Sequence, residues 1–167
     1  PDMETYSKAL NGGQYPLSVL AVNERAAKVY AKGTYGNTMT TNPRAMDIAT
    51  TVLNSLTPES RANIRNKGQE ALDKLNALKA ELGGLITKVQ GTGLLFSCEL
   101  DPSFKCYGAN STEEYMRERG IGVIHGGTNS LRFTPHFGIT SAEMDLMISH
   151  IRLALLNGPR KQEAAAA

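Results

Sequence analysis

A lysine in a segment rich in hydroxyl and glycine residues is the first candidate for chemistry. Lys8 follows Ser7 and precedes the pair Gly12-Gly13. Glycines let the backbone pass close to a bulky ligand, and a lysine amine held at such a place can form an imine with an aldehyde. Most lysines are solvated surface charges, so composition alone leaves a surface role for Lys8 open.

Two further segments could bind anions. The polar stretch 34–43 contains Thr38 and ends at Pro43, which suits the first position of a helix. Hydroxyls and backbone amides beside a helix start suit a phosphate, and a simple capped loop fits this stretch equally well. Arg132 lies between apolar residues in a predicted strand. Its planar fork could bind a carboxylate through two hydrogen bonds, or it could be an edge-strand arginine paired with a surface acid.

The histidines and cysteines do not have the spacing of metal ligands. They stand at His125, His136, His150, Cys98 and Cys106, so no metal site is predicted. Neither GxGxxG nor GxxxxGK occurs, and both of these mark nucleotide sites. Two thiols in a chain with ample apolar content are predicted to be free and reduced, which favours the cytoplasm.

The composition excludes two classes of partner. The net charge is only +2 and the basic residues are scattered along the chain, so nucleic acid is not an expected partner. No apolar run approaches the roughly 20 residues that span a bilayer, so no membrane association is expected. The start at Pro1 and the vector-like alanines 164–167 favour a fragment of a longer protein.

The periodicity of apolar residues predicts a change of architecture along the chain. Before residue 58 it indicates a strand over 17–22, a helix from Glu24 to Lys32 capped by Asn23, and a helix over 43–57. A long helix over 58–82 marks the candidate domain boundary. The segments after it are predicted to be strands 85–90 and 93–100, helix 112–119, strands 121–124 and 131–134, and a helix beginning at residue 140 or 141.

Several motifs in this order resemble one known family, the class III pyridoxal-phosphate aminotransferases. That family includes the ornithine, acetylornithine, 4-aminobutyrate and lysine aminotransferases, and the resemblance is to its C-terminal part over residues 3–156. The matching motifs are Ser7-Lys8-Ala9-Leu10, Gly12-Gly13, Tyr15-Pro16, Gly36-Asn37-Thr38 with Asn42-Pro43, Gly91-Thr92-Gly93-Leu94-Leu95 and Leu131-Arg132-Phe133-Thr134-Pro135.

The resemblance implies a fragment of the fold type I architecture, α/β passing into α+β. Residues 1–57 would be the end of the large cofactor-binding domain. Residues 58–158 would be the small C-terminal α+β domain, and residues 159–167 a disordered tail.

The resemblance also implies a reaction and roles for four residues. The parent enzyme would move an amino group from an amino acid or ω-amino acid to a 2-oxo acid, through a Schiff base of pyridoxal 5'-phosphate on Lys8. Lys8 would also carry the proton between substrate and cofactor. Ser7 and Thr38 would be cofactor-binding, with Thr38 donating to the cofactor phosphate across a homodimer interface. Arg132 would bind a substrate carboxylate.

Two departures from the family pattern and two alternatives accompany this hypothesis. Met39-Thr40-Thr41 stands where the family has a small, glycine-containing stretch. The family's acid for the ring nitrogen lies upstream of the lysine, so the fragment alone is expected to be inactive. A decarboxylase, racemase or aminomutase of the same fold would keep Lys8 and Thr38, and a non-catalytic dimerisation or binding module over 58–156 is a second alternative. The sequence does not identify the amino donor.

Overall fold

The computed structural model describes residues 1–34 and 42–161, and the chain divides into two compact units, Pro1–Pro58 and Glu59–Ala167. The second unit is α+β, as the sequence predicts for this part of the chain. The elements in chain order are β1 (Met3–Ser7), a short 3-10 helix (Lys8–Asn11), β2 (Ser18–Val22), α1 (Glu24–Ala27), α2 (Pro43–Ser55), α3 (Pro58–Glu81), β3 (Ile86–Thr92), β4 (Leu95–Leu100), α4 (Thr112–Arg117), β5 (Ile124–Gly126), β6 (Ser130–Phe133) and α5 (Ser141–Asn157).

The first unit begins with an antiparallel hairpin. Strand β1 pairs with β2 from Met3 opposite Val22 to Ser7 opposite Ser18. The sequence predicted β2 and not β1, because Met3–Ser7 lacks the β-prone apolar run that marks Ser18–Val22. The Lys8 segment therefore leaves directly from a paired strand.

Helix α1 is shorter than its predicted extent to Lys32. The Asn23 side chain accepts a hydrogen bond of 3.0 Å from the Ala26 amide and so caps the helix as predicted. None of the α1 side chains is buried. Because most helical stability in proteins comes from packing a buried face, a helix without one is not extended, and α1 ends at Ala27.

Helix α2 supports the segment that carries the lysine. Its N-cap is Asn42, whose side chain accepts from the Arg44 amide at 3.1 Å, and Pro43 occupies the first turn as predicted. The side chains of Ile48 and Val52 lie 4.0 and 3.8 Å from the point that a Cβ on Gly12 would occupy. Helix α2 thus packs against the end of the 3-10 helix.

The second unit contains a four-stranded antiparallel sheet in the order β3-β4-β6-β5. The predicted connection at Gly91-Thr92 is displaced, since β3 continues to Thr92 and the chain turns at Gly93 and Leu94. Gly93 has a φ of +54°, a left-handed conformation that favours glycine. Strand β6 lies between β4 and β5, so the alternative in which Arg132 sits on an edge strand is wrong.

One hydrophobic core holds this unit together. It combines apolar residues of α3 and α5 with the inward-facing side chains of the sheet and of the connections. The largest fully buried members are Phe96, Phe104, Leu75, Leu78, Ile86, Leu100, Met116, Leu131, Met144, Ile151 and Leu155. This packing makes the sheet a rigid platform whose other face is open.

A polar contact also joins α3 to the start of α5. The Glu70 carboxylate forms ion pairs of 2.7 Å with Lys67 and 2.8 Å with Lys74, and it accepts a hydrogen bond of 3.0 Å from Ser141. The hydrogen bonds from Lys67 and Lys74 lower the pKa of Glu70 to about 2. Glu70 therefore holds its charge over the whole neutral range and fixes the beginning of α5.

Contacts hold both ends of α5. The helix begins at Ser141, within the predicted range, and Thr140 and Glu143 form a capping box there. The tail expected to be disordered from residue 159 is held over its first residues, because the Lys161 amide donates to the Ser103 carbonyl at 2.7 Å. The Arg160 guanidinium lies 3.8 Å from the centre of the Phe104 ring. The rest of the tail lies outside the described residues.

Within residues 1–34 and 42–161 no helix is long and apolar enough to cross a membrane.

A close approach between α3 and the turn after β3 predicts the effect of one substitution. A Cβ on Gly68 would lie 2.2 Å from the carbonyl oxygen of Gly93. Because that neighbour is backbone, we expect Gly68→Ala to destabilise the chain by about 1–3 kcal/mol, although alanine normally favours a helix. Urea unfolding followed by circular dichroism measures this difference.

The matched control is Asn76→Ala, on an exposed position of the same helix. It should leave stability unchanged or raise it by about 0.5 kcal/mol. A Gly68→Ala chain at least as stable as the parent chain would contradict the described packing of α3.

Candidate functional site

The predicted cofactor lysine has an unusual backbone conformation. Lys8 is the first residue of the 3-10 helix and has a φ of +55°. Among the described residues only one other non-glycine residue, Asn110, has a positive φ. The left-handed conformation costs an L-residue roughly 1–2 kcal/mol, and such residues cluster at ligand and active sites. The conformation therefore marks Lys8 independently of any motif.

Hydrogen bonds on both sides hold this conformation. The Ser7 hydroxyl lies 3.1 Å from the Leu17 carbonyl oxygen, to which it donates, and 3.0 Å from the Ser18 hydroxyl. On the other side the buried Asn11 side chain accepts a bond of 2.9 Å from the Gly13 amide. The residue before Lys8 and the turn after it are thus both tied to the unit.

Asn11 is a supporting residue that the sequence analysis did not select. An asparagine followed by two glycines is typical of a turn in which the asparagine side chain binds the backbone two residues later. That signal was available in the sequence. It predicts a turn and not a functional site. Only the structure shows that this turn follows directly after the left-handed residue Lys8.

A groove of about 550 Å³ surrounds Lys8. This volume falls in the range of roughly 300–1,000 Å³ that is usual for small-molecule sites. The lining residues are Ser7, Lys8, Ala9, Asn11, Gly13, Gln14, Tyr15, Pro16, Leu17 and Ser18. In the part of the chain that the structure describes, no hydrogen bond or ion pair occupies the Lys8 amine, so it is available to a ligand.

The other two predicted cofactor residues are placed differently. Ser7 lies beside Lys8, and its single hydroxyl proton is engaged within the hairpin while its oxygen can still accept. Its contact with a cofactor stays a prediction. Thr38 lies outside the described residues.

Arg132 lies in the second unit, on β6. Its side chain is exposed, while its neighbours Leu131 and Phe133 are buried in the core. A guanidinium buried away from water would need a paired carboxylate to offset its desolvation, but Arg132 is exposed and needs none. No ion pair joins Arg132 to any acid of residues 1–34 or 42–161. The guanidinium is free to bind a carboxylate from outside the chain.

The buried thiols and a buried carboxylate do not form a second reactive centre. Cys98 and Cys106 are free, and burial raises the pKa of each thiol to about 12, which makes them poor nucleophiles. Glu113 is buried but forms an ion pair with Arg117 and lies 3.1 Å from Nδ1 of His125. Over the described residues, no group of three or more His, Cys, Asp or Glu side chains is placed to hold a metal ion.

Comparison with known proteins gives consistent matches. The family model described as aminotransferase class-III matches residues 1–155. The succinylornithine transaminase of Citrobacter koseri is 32% identical over 155 residues, which are 92% of this chain and 37% of the relative.

Solved structures extend the match to the fold. The ornithine delta-aminotransferase of Plasmodium falciparum superposes with a TM-score of 0.82 and 26% identity, covering 93% of this chain and 40% of the other. The ornithine aminotransferase of Toxoplasma gondii, in a structure with partial occupancy of pyridoxal phosphate at its active site, gives a TM-score of 0.81 and 26% identity. That match covers 93% of this chain and 37% of the other.

The chain therefore spans about 37% of the length of the curated relative. The predicted family resemblance and fold class are confirmed by the extent of these matches, because the family model covers residues 1–155 and the fold superposes over 93% of the chain. This chain belongs to the class-III aminotransferase family.

Proposed function

We propose that this chain is the lysine-bearing, C-terminal part of a pyridoxal-phosphate-dependent aminotransferase. The whole protein would move an amino group from an amino acid or ω-amino acid to a 2-oxo acid. Support comes from the family match and from the relatives, which include a transaminase of succinylornithine and aminotransferases of ornithine. We further propose that the whole protein is a cytoplasmic homodimer, with residues 1–57 in its large domain and 58–158 in its small domain.

The observation that carries this proposal is the left-handed backbone of Lys8 at a groove, within the segment that matches the family. A positive φ is uncommon for a residue other than glycine, and such residues cluster at ligand and active sites. Ser7 and Asn11 provide the hydrogen bonds that offset its cost. The strained backbone has an explanation if the segment serves to hold the Lys8 amine at one fixed position.

The residues around Lys8 fit a pyridoxal phosphate aldehyde. No partner among the described residues occupies the amine, the groove is large enough for a small molecule, and its lining combines polar side chains with the backbone of Gly13. When bound, pyridoxal phosphate supplies an electron-withdrawing ring that lowers the cost of removing a proton from the substrate Cα.

Within such a site the Lys8 amine has two tasks. It would hold the cofactor by its aldehyde carbon. Once an amino substrate had taken its place, it would be the base that removes the substrate Cα proton and the acid that returns it. Both tasks need the amine at one fixed place, which the hydrogen bonds of Ser7 and Asn11 favour.

Two further roles belong to the same proposal. Thr38 would donate to the cofactor phosphate of the neighbouring subunit, in a segment that ends at the capped start of α2. Arg132 would bind a substrate carboxylate through its free, exposed guanidinium.

We also propose that the 167-residue chain alone does not transfer amino groups. It spans 37% of the curated relative, and the family resemblance places the acid that would pair with the ring nitrogen upstream of the segment that carries Lys8. Without that acid the ring withdraws electrons less well, so proton removal from Cα is slow.

Cofactor binding by the chain gives the direct test of Lys8. With added pyridoxal phosphate, the chain should develop the near-visible absorbance of a lysine-bound cofactor, and Lys8→Ala should lose most of it. Lys28→Ala removes another exposed lysine of the same unit and should keep the absorbance.

Equal absorbance in the two variants would contradict the assignment of Lys8 and favour a non-catalytic module. Amino-group transfer to a 2-oxo acid by the isolated chain, at the rate of an ordinary enzyme, would contradict the proposal that the upstream acid for the ring nitrogen is needed. Turnover of an amino substrate by the whole protein without any need for a 2-oxo acid acceptor would favour a decarboxylase, racemase or aminomutase.

The strained backbone of Lys8 predicts that glycine at this position makes the chain more stable although it removes the amine. Because glycine adopts a φ of +55° without steric cost, Lys8→Gly should make the chain more stable than Lys8→Ala by about 1 kcal/mol. Both variants lose the amine, so the comparison isolates the backbone. Chemical unfolding of the two variants measures the difference, and equal midpoints would show that Lys8 is not strained.

A further inference from the structure

The open face of the second unit's sheet carries a straight row of side chains. Gln90 of β3 pairs with Ser97 of β4. Ser97 pairs with Arg132 of β6, and Arg132 pairs in turn with Ile124 of β5. The row therefore crosses all four strands at one level.

Alternation along the strands turns this row away from the core. Ser97 lies between Phe96 and Cys98, which are both fully buried, and the two neighbours of Arg132 are buried as well. Successive side chains of a strand point to opposite faces. Ser97 and Arg132 consequently share the face opposite the core, and the pairing brings Gln90 to the same face.

The spacing within the row suits one ligand that contacts three side chains. Directly opposed residues in an antiparallel pair have Cβ atoms about 4.5–5.5 Å apart. A hydroxyl at Ser97 is therefore within reach of a carboxylate held by Arg132. The longer Gln90 side chain, one strand further away, reaches a second polar group on the same ligand.

A groove of about 470 Å³ lies along this row. Gln90, Thr92, Ser97 and Arg132 contribute its polar side chains, and no acidic residue lines it. The exposed side chain of Leu95 adds an apolar wall. A cation without a paired acid, beside apolar surface, attracts a carboxylate more strongly than a fully solvated cation would.

The stem of Arg132 is supported from its other side. Cβ and Cδ of Arg132 lie 3.7 Å from the point that a Cβ on Gly126 would occupy. These are ordinary van der Waals distances, so the arginine stem lies along the backbone of β5 at Gly126, beside the groove.

We propose that Ser97 and Gln90 complete a subsite with Arg132 for a carboxylate ligand that carries a second hydrogen-bond acceptor about one strand spacing away. Arg132 and Ser97 hold the carboxylate, Ser97 as a positioning donor. The Gln90 amide donates to the second acceptor and sets specificity. The role of this subsite in substrate choice rests on the proposed function, whereas the binding itself rests on the geometry of the sheet alone.

Binding of glutarate and butyrate to the isotope-labelled 167-residue chain tests this subsite. Both probes carry one carboxylate on a short alkyl chain, and glutarate adds the second acceptor. Chemical shifts of backbone amides, followed at fixed ionic strength, give the two dissociation constants. We expect glutarate to bind about tenfold more tightly than butyrate, the effect of one hydrogen bond to a charged group.

Three variants separate the roles. Gln90→Leu should reduce the preference for glutarate to about twofold, the statistical factor for two equivalent carboxylates, and leave butyrate binding unchanged. Ser97→Ala should weaken both probes by the same factor, and Arg132→Gln should abolish both. Gln69→Leu, an exposed glutamine of α3 that bonds Asp73 outside the groove, is the matched control and should change neither.

Absence of glutarate binding, or a preference for glutarate that stays near tenfold in Gln90→Leu, would overturn the subsite. Amide spectra that match the parent chain confirm that each variant is folded. The measurement contains no pyridoxal phosphate, so its failure leaves the assignment of Lys8 standing, and failure of cofactor binding at Lys8 leaves this subsite standing.

Discussion

An L-residue with a φ of +55° persists only where its neighbours hold it, and the hairpin of the first unit provides that support around Lys8. Ser7 is tied to the end of the hairpin and Asn11 closes the following turn. Helix α2 packs against Gly12, at the end of the same turn. The strand, turn and helix of this unit can be understood as the support for one side-chain amine, and the proposed chemistry depends on that amine having a fixed position.

The sheet of the second unit is buried on one face and exposed on the other. Helices α3 and α5 bury one face of this four-stranded sheet. The hydrogen bond from Ser141 to Glu70 and the ion pair of Lys74 with Asp145 join the two helices. Rigid packing on one side lets the other side display polar side chains at set intervals. Arg132 is exposed for this reason, although its neighbours are deeply buried.

Sequence chemistry predicted the local signals of this fold well. Asn23 caps its helix as predicted, and Asn42, Ser111 and Thr140 cap theirs in the same way, because an N-cap depends on a side chain and amides close to it in sequence. Strand β1 was missed because it has no apolar run of its own and its pairing with β2 depends on residues 11 to 19 positions away. The position of β6 inside the sheet is likewise set by long-range pairing.

In the candidate site, too, features that depend on local sequence were predicted and features that depend on long-range contacts were not. The motif around Lys8 and the family resemblance predicted which lysine to consider, and the comparisons confirm the family. The left-handed backbone of Lys8 and the row from Gln90 to Arg132 were not predictable, since both arise from contacts between segments. The roles of Lys8, Ser7, Thr38 and Arg132 stay predictions.

Covalent mapping of the cofactor tests the central claim most directly. The chain is incubated with pyridoxal phosphate at a concentration near its own, borohydride makes the bond between amine and aldehyde permanent, and peptide mass spectrometry locates the label. The account predicts that the label lies mainly on the peptide that contains Lys8. A label spread evenly over the exposed lysines, Lys28 and Lys32 among them, would contradict it.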